Sequence, residues 1–168
     1  MAGNKYITNN AGTLTEVASV QSSAGAGDAG KIPALDAAGR FDTSMMPTGI
    51  GADTQVITAS EALAAGDLVN IWNSTGAKAR KADASTAGKE AHGFVIASVL
   101  NAGAATVYFE GNNAQVTGLT PGVQYLSTTP GTAQATAPSG TGNVVQRVGF
   151  ATDAANLNFQ SNVPIVLA

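Results

Sequence analysis

The chain has 168 residues, enough for one ordinary domain with an extension, and only 11% of its residues are charged. Its net charge of −3 argues against nucleic-acid binding, which needs clustered cations, and the lack of cysteine excludes disulfides and thiolate metal sites. Aromatic residues make up only 5% of the chain, so a monomeric core would be thin and association between copies is favoured.

The first 23 residues are polar, with isolated apolar residues among them. Leu14, Val17 and Val20 have a spacing that suits a short helix or an extended arm, and both interpretations stay open. The stretch lacks the apolar core of a signal peptide, and no part of the chain approaches the length of a membrane span. We therefore expect synthesis in a cytoplasm, without classical export and without membrane association.

Residues 30–47, Gly-Lys-Ile-Pro-Ala-Leu-Asp-Ala-Ala-Gly-Arg-Phe-Asp-Thr-Ser-Met-Met-Pro, combine helix breakers with spaced apolar side chains. The two prolines donate no backbone hydrogen bond and the glycines add chain entropy, so a long helix or a central strand is not expected. Residues 36–39 suit a turn in which Asp36 accepts local amide bonds. We predict that residues 1–54 form an extended arm that lies along a partner. Its partner-binding anchors would be Ile32, Leu35, Phe41, Met45 and Met46.

From residue 55 onward the chain consists of short runs bounded by glycine, proline, asparagine and serine, which predicts an all-β domain over residues 55–168. The predicted strands are 55–58, 68–73, 77–82, 93–100, 106–110, 115–117, 124–127, 133–137, 143–151, 157–160 and 164–167. One helical turn is predicted over residues 60–65, with Ser60 as its N-cap. The strand spacing indicates a small β-sandwich or barrel.

The β region also shows signs of an internal duplication. Three glycines of its first half recur about 56 residues later, each beside similar strand and turn residues. The pairs are Gly66 and Gly122, Gly76 and Gly131, and Gly93 and Gly149. We therefore predict two related halves that pack as a pseudo-symmetric sandwich or a closed barrel.

The residues offer little for catalysis. His92 is the only histidine, and it could act as a base only with Glu90 or Glu110 orienting it and a serine as nucleophile; no Gly-x-Ser-x-Gly elbow accompanies it. A structural hydrogen-bonding role for His92 is favoured. A glycosidase would need two carboxylates across a cleft, and Glu90, Glu110 and Asp153 are widely separated in sequence. We expect no enzyme activity, no metal site and no cofactor.

Two further features have a functional and a structural interpretation. Trp72, next to a predicted hairpin turn, could stack on a sugar or a partner, but a role in capping a core or a subunit contact is favoured. The basic cluster of Lys78, Arg80 and Lys81 could bind phosphate, but a solvated strand edge that discourages aggregation is favoured.

The motif of residues 30–47 resembles the linker G-K-I-x-x-L-D-x-x-G-x-x-D-x-S-x-x-P of structural proteins of tailed bacteriophages. Residues 65–69, 81–84, 118–127 and 144–151 are similar to small β modules of phage capsid decoration (cement) proteins and fibre-associated proteins. The resemblance implies a virion protein on the capsid exterior that binds across subunits of the major capsid protein and acts by contact, as a homo-oligomer that we expect to be a trimer.

Two other functions stay open beside capsid decoration. The first is a module of a tail fibre or head fibre that binds a host receptor, although the chain shows neither a coiled coil nor a long repetitive shaft. The second is a polysaccharide-degrading enzyme of the phage tail, which the scarcity of paired carboxylates and histidines disfavours.

Overall fold

The computed structural model describes residues 4–47 and 51–168, and it confirms the all-β prediction. The chain divides between Gly51 and Ala52 into two compact units, which we call the N-terminal unit and the β domain. The helical segments of the described residues are two short 3-10 turns, Ala26–Asp28 and Thr43–Met45, both in the N-terminal unit.

The described residues form fourteen strands, two in the N-terminal unit and twelve in the β domain. They are β1 Lys5–Asn10, β2 Thr13–Ala18, β3 Thr54–Ala59, β4 Leu68–Asn73, β5 Ala77–Lys81, β6 Gly93–Val95, β7 Ala104–Tyr108, β8 Glu110–Asn113, β9 Gly122–Leu126, β10 Ala133–Gln134, β11 Val144–Val145, β12 Arg147–Asp153, β13 Asn156–Gln160 and β14 Ile165–Val166.

β1 and β2 form an antiparallel hairpin that the sequence analysis does not predict. Its two-residue loop has positive φ at both Ala11 and Gly12, the geometry of a type I′ turn, which matches the twist of the paired strands. The Asn9 side chain accepts a hydrogen bond from the Gly12 amide at 2.8 Å and fastens the turn. Residues 5–18 thus adopt a hairpin rather than a helix or a fully extended arm.

The first half of the β domain is a closed five-stranded barrel in the order β3-β5-β4-β6-β7. Its neighbouring strands are antiparallel except for β3 and β5, whose parallel pairing closes the ring. Mostly small and β-branched residues fill the interior, which suits so narrow a barrel. The buried members of this cluster are Ile57, Ala59, Leu63, Val69, Ala79, Val95, Ala105 and Val107.

The second half is an open five-stranded sheet in the order β10-β9-β12-β13-β8. Starting from β5 and going round the ring, the barrel reads β5-β4-β6-β7-β3, so each strand of one half has a counterpart at the same place in the other. The difference is that β8 and β10 do not pair, whereas their counterparts β3 and β5 do. The two halves share one strand order, as the recurring glycines predict.

Two of the recurring glycines occupy equivalent close approaches between strands. Gly93 faces β7, where a Cβ would lie 2.5 Å from the carbonyl oxygen of Tyr108. Gly149 faces β13, where a Cβ would collide with the carbonyl oxygen of Asn158. Tyr108 pairs with Phe94 and Asn158 with Phe150, so the two carbonyls hold the same position in each half. Glycine is needed at both positions because the backbones approach too closely for a side chain.

A second core lies between the outer face of the barrel and the inner face of the open sheet. Phe94 of the barrel stacks on Tyr108 with ring centroids 5.5 Å apart, and Phe159 of the open sheet meets Phe94 edge-on at 5.6 Å. The other buried members of this cluster are Leu68, Ala82, Ala84, Ala91, Leu126, Val144, Val148 and Leu157. The two halves therefore bury a shared apolar layer.

The predicted helical turn at residues 60–65 is wrong. Leu63 instead forms an antiparallel bridge with Val99, with hydrogen bonds of 2.8 and 2.9 Å in the two directions. The Ser60 amide donates to the carbonyl of Ala79. Both contacts use backbone groups in pairings between distant segments, which override the local helix preference. The Leu63–Val99 bridge also belongs to the stretch predicted as strand 93–100, whose regular strand ends at Val95.

The predicted strand 115–117 is also wrong, because the regular strand lies earlier, at β8. The Asn113 side chain donates to the carbonyl of Gly66 at 2.9 Å and accepts from the Gln115 amide at 3.1 Å, so the chain turns directly after β8. The sequence Glu-Gly-Asn-Asn of β8 has low strand propensity, and only its pairing with β13 makes it a strand.

Replacing Gly149 by alanine is expected to lower the free energy of unfolding by about 3 kcal/mol or more, because the Cβ meets a backbone oxygen and φ is +132°. Gly111→Ala is the matched control in the same sheet, since Gly111 has φ +113° but open space around it. It should lose only about 1–2 kcal/mol, the conformational cost alone. Chemical denaturation measures both, and equal losses would contradict the close approach.

Candidate interaction surface of the N-terminal unit

The first part of the motif is held in an extended conformation by pairing with the chain that follows the hairpin. Val20 and Pro33 form a parallel bridge, in which the Val20 amide donates to the carbonyl of Ile32 at 3.1 Å and the Ala34 amide donates to the carbonyl of Val20 at 2.7 Å. The Gln21 side chain continues this pairing by donating to the carbonyl of Leu35 at 2.9 Å. The backbone that carries Ile32 and Leu35 is thus hydrogen-bonded along one edge to residues 20 and 21.

Asp36 forms the turn that the sequence predicts. Its side-chain Oδ1 accepts hydrogen bonds from the amides of Ala38 and Arg40 at 2.8 and 2.9 Å. The Gly39 amide donates to the carbonyl of Asp36, and the Asp36 amide donates to the carbonyl of Arg40. The turn reverses the chain between Leu35 and Phe41 through local hydrogen bonds alone.

Asp42 caps the second 3-10 turn. Its Oδ1 accepts from the Ser44 amide at 2.9 Å. Hydrogen bonding from the Ser44 hydroxyl, and after it from the Ser44 amide, holds the pKa of the Asp42 carboxyl below its ordinary value. The Ser44 hydroxyl in turn accepts from the Ser23 amide at 2.7 Å, which ties this turn to the segment after the hairpin. Met45 and Met46 therefore project from a capped turn.

Asp28 and Lys31 stabilise the beginning of the motif. Their side chains form a hydrogen-bonded ion pair at 2.7 Å, and the Ala24 amide also donates to Asp28 at 2.6 Å. The bond from Lys31 is the main reason that the pKa of the Asp28 carboxyl is lowered, and the same bond raises the pKa of Lys31. The pair lies at the surface, so it contributes mainly local order.

The apolar anchors of the motif remain largely uncovered within the chain. Phe41 keeps 55% of its surface accessible, Ile32, Leu35 and Met46 are also exposed, and Met45 is half-buried. Among the described residues 4–47, no side chain of any type is buried. Residues 4–47 are therefore ordered by hydrogen bonds, caps and ion pairs, without a buried apolar core among them.

A shallow groove of about 700 Å³ brings two of the five anchors together. Ile32 and Leu35 line it with Tyr6 of the hairpin and the Gln21 side chain. Phe41, Met45 and Met46 do not line this groove, so the predicted anchors divide into two groups.

The sequence does not predict that two apolar residues of the hairpin, Ile7 and Leu14, share an exposed face. Ile7 and Leu14 are both exposed, and the register places Ile7 opposite Glu16 and Leu14 opposite Asn9, on one face of the ribbon. The signal that could have found them is the Ala11-Gly12 turn with alternating residues on both sides.

The His92 side chain makes a hydrogen bond to the backbone in this structure. Its Nδ1 accepts a hydrogen bond from the Ile71 amide at 3.0 Å, which leaves that nitrogen engaged in holding the edge of β4. Glu90 uses its carboxylate to accept from the Gly88 amide at 2.9 Å, and Glu110 lies in β8 of the open sheet. The structure does not bring His92 and these carboxylates into a hydrogen-bonded relay.

Trp72 and the basic cluster also make structural contacts. The indole of Trp72 donates to the Ser60 hydroxyl at 3.1 Å, and the Arg80 guanidinium lies 4.6 Å from the ring centroid. Lys81 forms an ion pair with Asp67 at 3.2 Å. Arg80 and Lys81 are thus committed to contacts within the β domain.

Among residues 4–47 and 51–168, no three histidine, aspartate or glutamate side chains come together in a way that could hold a metal ion. In the same residues, none of the helical segments has the length and apolar character needed to span a membrane. Comparison of the chain with protein-family models, with curated proteins and with solved structures finds no match. The most distinctive surface of the described residues is therefore the set of uncovered anchors on a hydrogen-bonded backbone.

The lowered pKa of Asp42 leads to a testable pH dependence. A carboxyl whose pKa is depressed in the folded state stabilises that state at neutral pH, and the contribution is lost as the pH falls through the folded pKa. The Ser44 amide resonance should therefore titrate in NMR spectra with a midpoint below the ordinary aspartate value. Asp42→Asn keeps a capping oxygen and should abolish the titration. A midpoint at or above the ordinary value would contradict the cap.

Proposed function

We propose that this chain is a structural virion protein that decorates and stabilises the capsid of a tailed bacteriophage. It would bind across major capsid subunits as a homotrimer, with the N-terminal unit as the contacting element. The observation that carries the proposal is the state of residues 4–47, which hold a definite backbone although none of their described side chains is buried. The resemblance of residues 30–47 to linkers of phage structural proteins supplies the kind of partner.

The proposed contact follows from what the anchors gain by being covered. Burying a phenylalanine, leucine, isoleucine or methionine side chain contributes about 1.5–3 kcal/mol. Phe41 and Met46 are exposed, and Met45 beside them is half-buried, so a partner pocket can still gain this burial. Methionine adapts its shape to irregular pockets, which suits a contact repeated at slightly different positions of a shell. Copies linked in an oligomer strengthen each modest contact through multivalency.

Preorganisation favours this role over that of a loose tether. The caps at Asp36 and Asp42 and the bridge between Val20 and Pro33 fix the backbone before a partner is met. A segment that is already ordered loses less conformational entropy on binding, so more of the burial energy appears as affinity.

Phe41→Ala tests the proposal on the full chain. Binding to empty capsid shells of the encoding phage should weaken at least about tenfold, because the side chain would fill a pocket of the shell. The melting temperature should stay unchanged, because Phe41 is exposed in the free protein. Val56→Ala, at an exposed position of β3 in the β domain, is the matched control and should bind like the parent. Cosedimentation of protein with shells measures the affinity.

Two results would overturn the proposal. Equal binding by Phe41→Ala and Val56→Ala would show that Phe41 does not take part in the contact with the shell. If the parent protein bound host cells but did not bind capsid shells, the chain would instead be a receptor-binding fibre module.

A further inference from the structure

A small cavity opens in the β domain where three segments of the chain meet. The connection between β3 and β4, the chain that follows β8 and the loop that leads into β10 line it, and its volume is about 150 Å³. The first of these segments belongs to the barrel half, and the other two belong to the open-sheet half. Ligand pockets occur preferentially at interfaces between structural units, and the junction of the two halves is such a place.

Asp67 is the charged residue of the cavity lining, and it is only 8% exposed. Its Oδ2 accepts a hydrogen bond from the Ala64 amide at 2.7 Å and lies 3.2 Å from the Lys81 ammonium. Its Oδ1 lies against Gly131, so closely that a Cβ there would be 2.6 Å away. No donor in the described part of the chain reaches Oδ1. A carboxylate that is more than nine-tenths buried therefore keeps one oxygen for a donor from outside the chain.

The rest of the lining combines polar and aliphatic side chains. Gln115 and Thr117 are exposed residues of the lining, and their side chains can donate and accept hydrogen bonds. Val116 and Leu119 are partly buried and pack on the shared apolar layer, so they give the cavity a nonpolar side. A neutral ligand with several hydroxyls and a hydrocarbon face matches this combination of groups.

We propose that this cavity binds a single neutral monosaccharide ring, such as one residue of a glycan. Lys81 already compensates the charge of Asp67, so a free cation gains little there, whereas a sugar hydroxyl can donate to the unused Oδ1. Pockets for drug-sized ligands measure about 300–1,000 Å³, so this cavity has room for no more than one small ring. The site goes beyond capsid decoration and does not depend on it, because it requires no contact with a shell.

NMR titration of the ¹⁵N-labelled full chain with methyl glycosides of glucose, galactose, mannose and N-acetylglucosamine tests the proposal. At least one glycoside should shift the amide resonances of Val116, Gly131 and Thr132 saturably, with a dissociation constant of about 1–10 mM for so small a ligand. Asp67→Asn should weaken binding at least about tenfold, because the charged acceptor is lost. Thr117→Val keeps the shape of the side chain and should weaken binding about fivefold, the loss of one neutral hydrogen bond.

Asp83→Asn is the matched control. Asp83 is 6% exposed and lies 3.7 Å from the Lys89 ammonium, but it does not line the cavity, so its variant should bind like the parent. Thermal unfolding of each variant checks that the fold persists. If Asp67→Asn proves unstable, Thr117→Val still tests the site, because Thr117 is exposed and its replacement leaves the core intact.

Four outcomes would contradict the sugar site. The first is a lack of saturable shifts at the cavity with all four glycosides up to about 100 mM. The second is an equal response to glycerol or methylammonium, which would indicate an unspecific polyol or a cation. The third is parent-like binding by both Asp67→Asn and Thr117→Val. The fourth is weakening by Asp83→Asn as great as that by Asp67→Asn.

Discussion

The packing of Phe94 between the two halves is the contact on which the β domain depends. The barrel can bury its own interior because its ring closes, but the open sheet has no enclosed interior. The inner face of the sheet, including Leu126, Leu157 and Phe159, becomes buried only by meeting the outer face of the barrel. Since a sheet of this size needs a covered apolar face to be stable, the second half is expected to fold on the first. The shared aromatic layer makes one cooperative domain out of two repeats.

One repeat has therefore been used in two ways. The parallel pairing of β3 with β5 closes the first copy into a barrel, while the second copy leaves the equivalent strands β8 and β10 apart and opens its inner face to the barrel. The close approaches at Gly93 and Gly149 survive in both copies, because they fix the separation of neighbouring strands. The same face of the repeat is buried in both copies, but only the barrel has its outer face covered as well, so Phe94 is buried whereas Phe150 is exposed.

The sequence predicts the features that depend on local chemistry. Short runs between turn residues indicate an all-β domain, the recurring glycines indicate its duplication, and the Asp36 turn follows from its residue types. It does not predict features that depend on distant pairing. The strand β8 exists because it pairs with β13, and Leu63 is not helical because it bridges Val99. Likewise the five anchors can be named from the motif, but their division into two groups depends on the bridge between Val20 and Pro33.

The two units are stabilised by different interactions, and this difference bears on their roles. The β domain buries aromatic and aliphatic side chains, so the hydrophobic effect stabilises it as a whole. The described residues of the N-terminal unit are held by backbone hydrogen bonds, polar caps and exposed ion pairs; a hydrogen bond of this kind contributes about 1 kcal/mol and competes with water. Such a unit opens locally at low cost, so covering its anchors would stabilise it much more than it would the β domain. Binding and ordering of the N-terminal unit would therefore be coupled, because a partner that covered Phe41 would also reinforce the turn on which Phe41 lies.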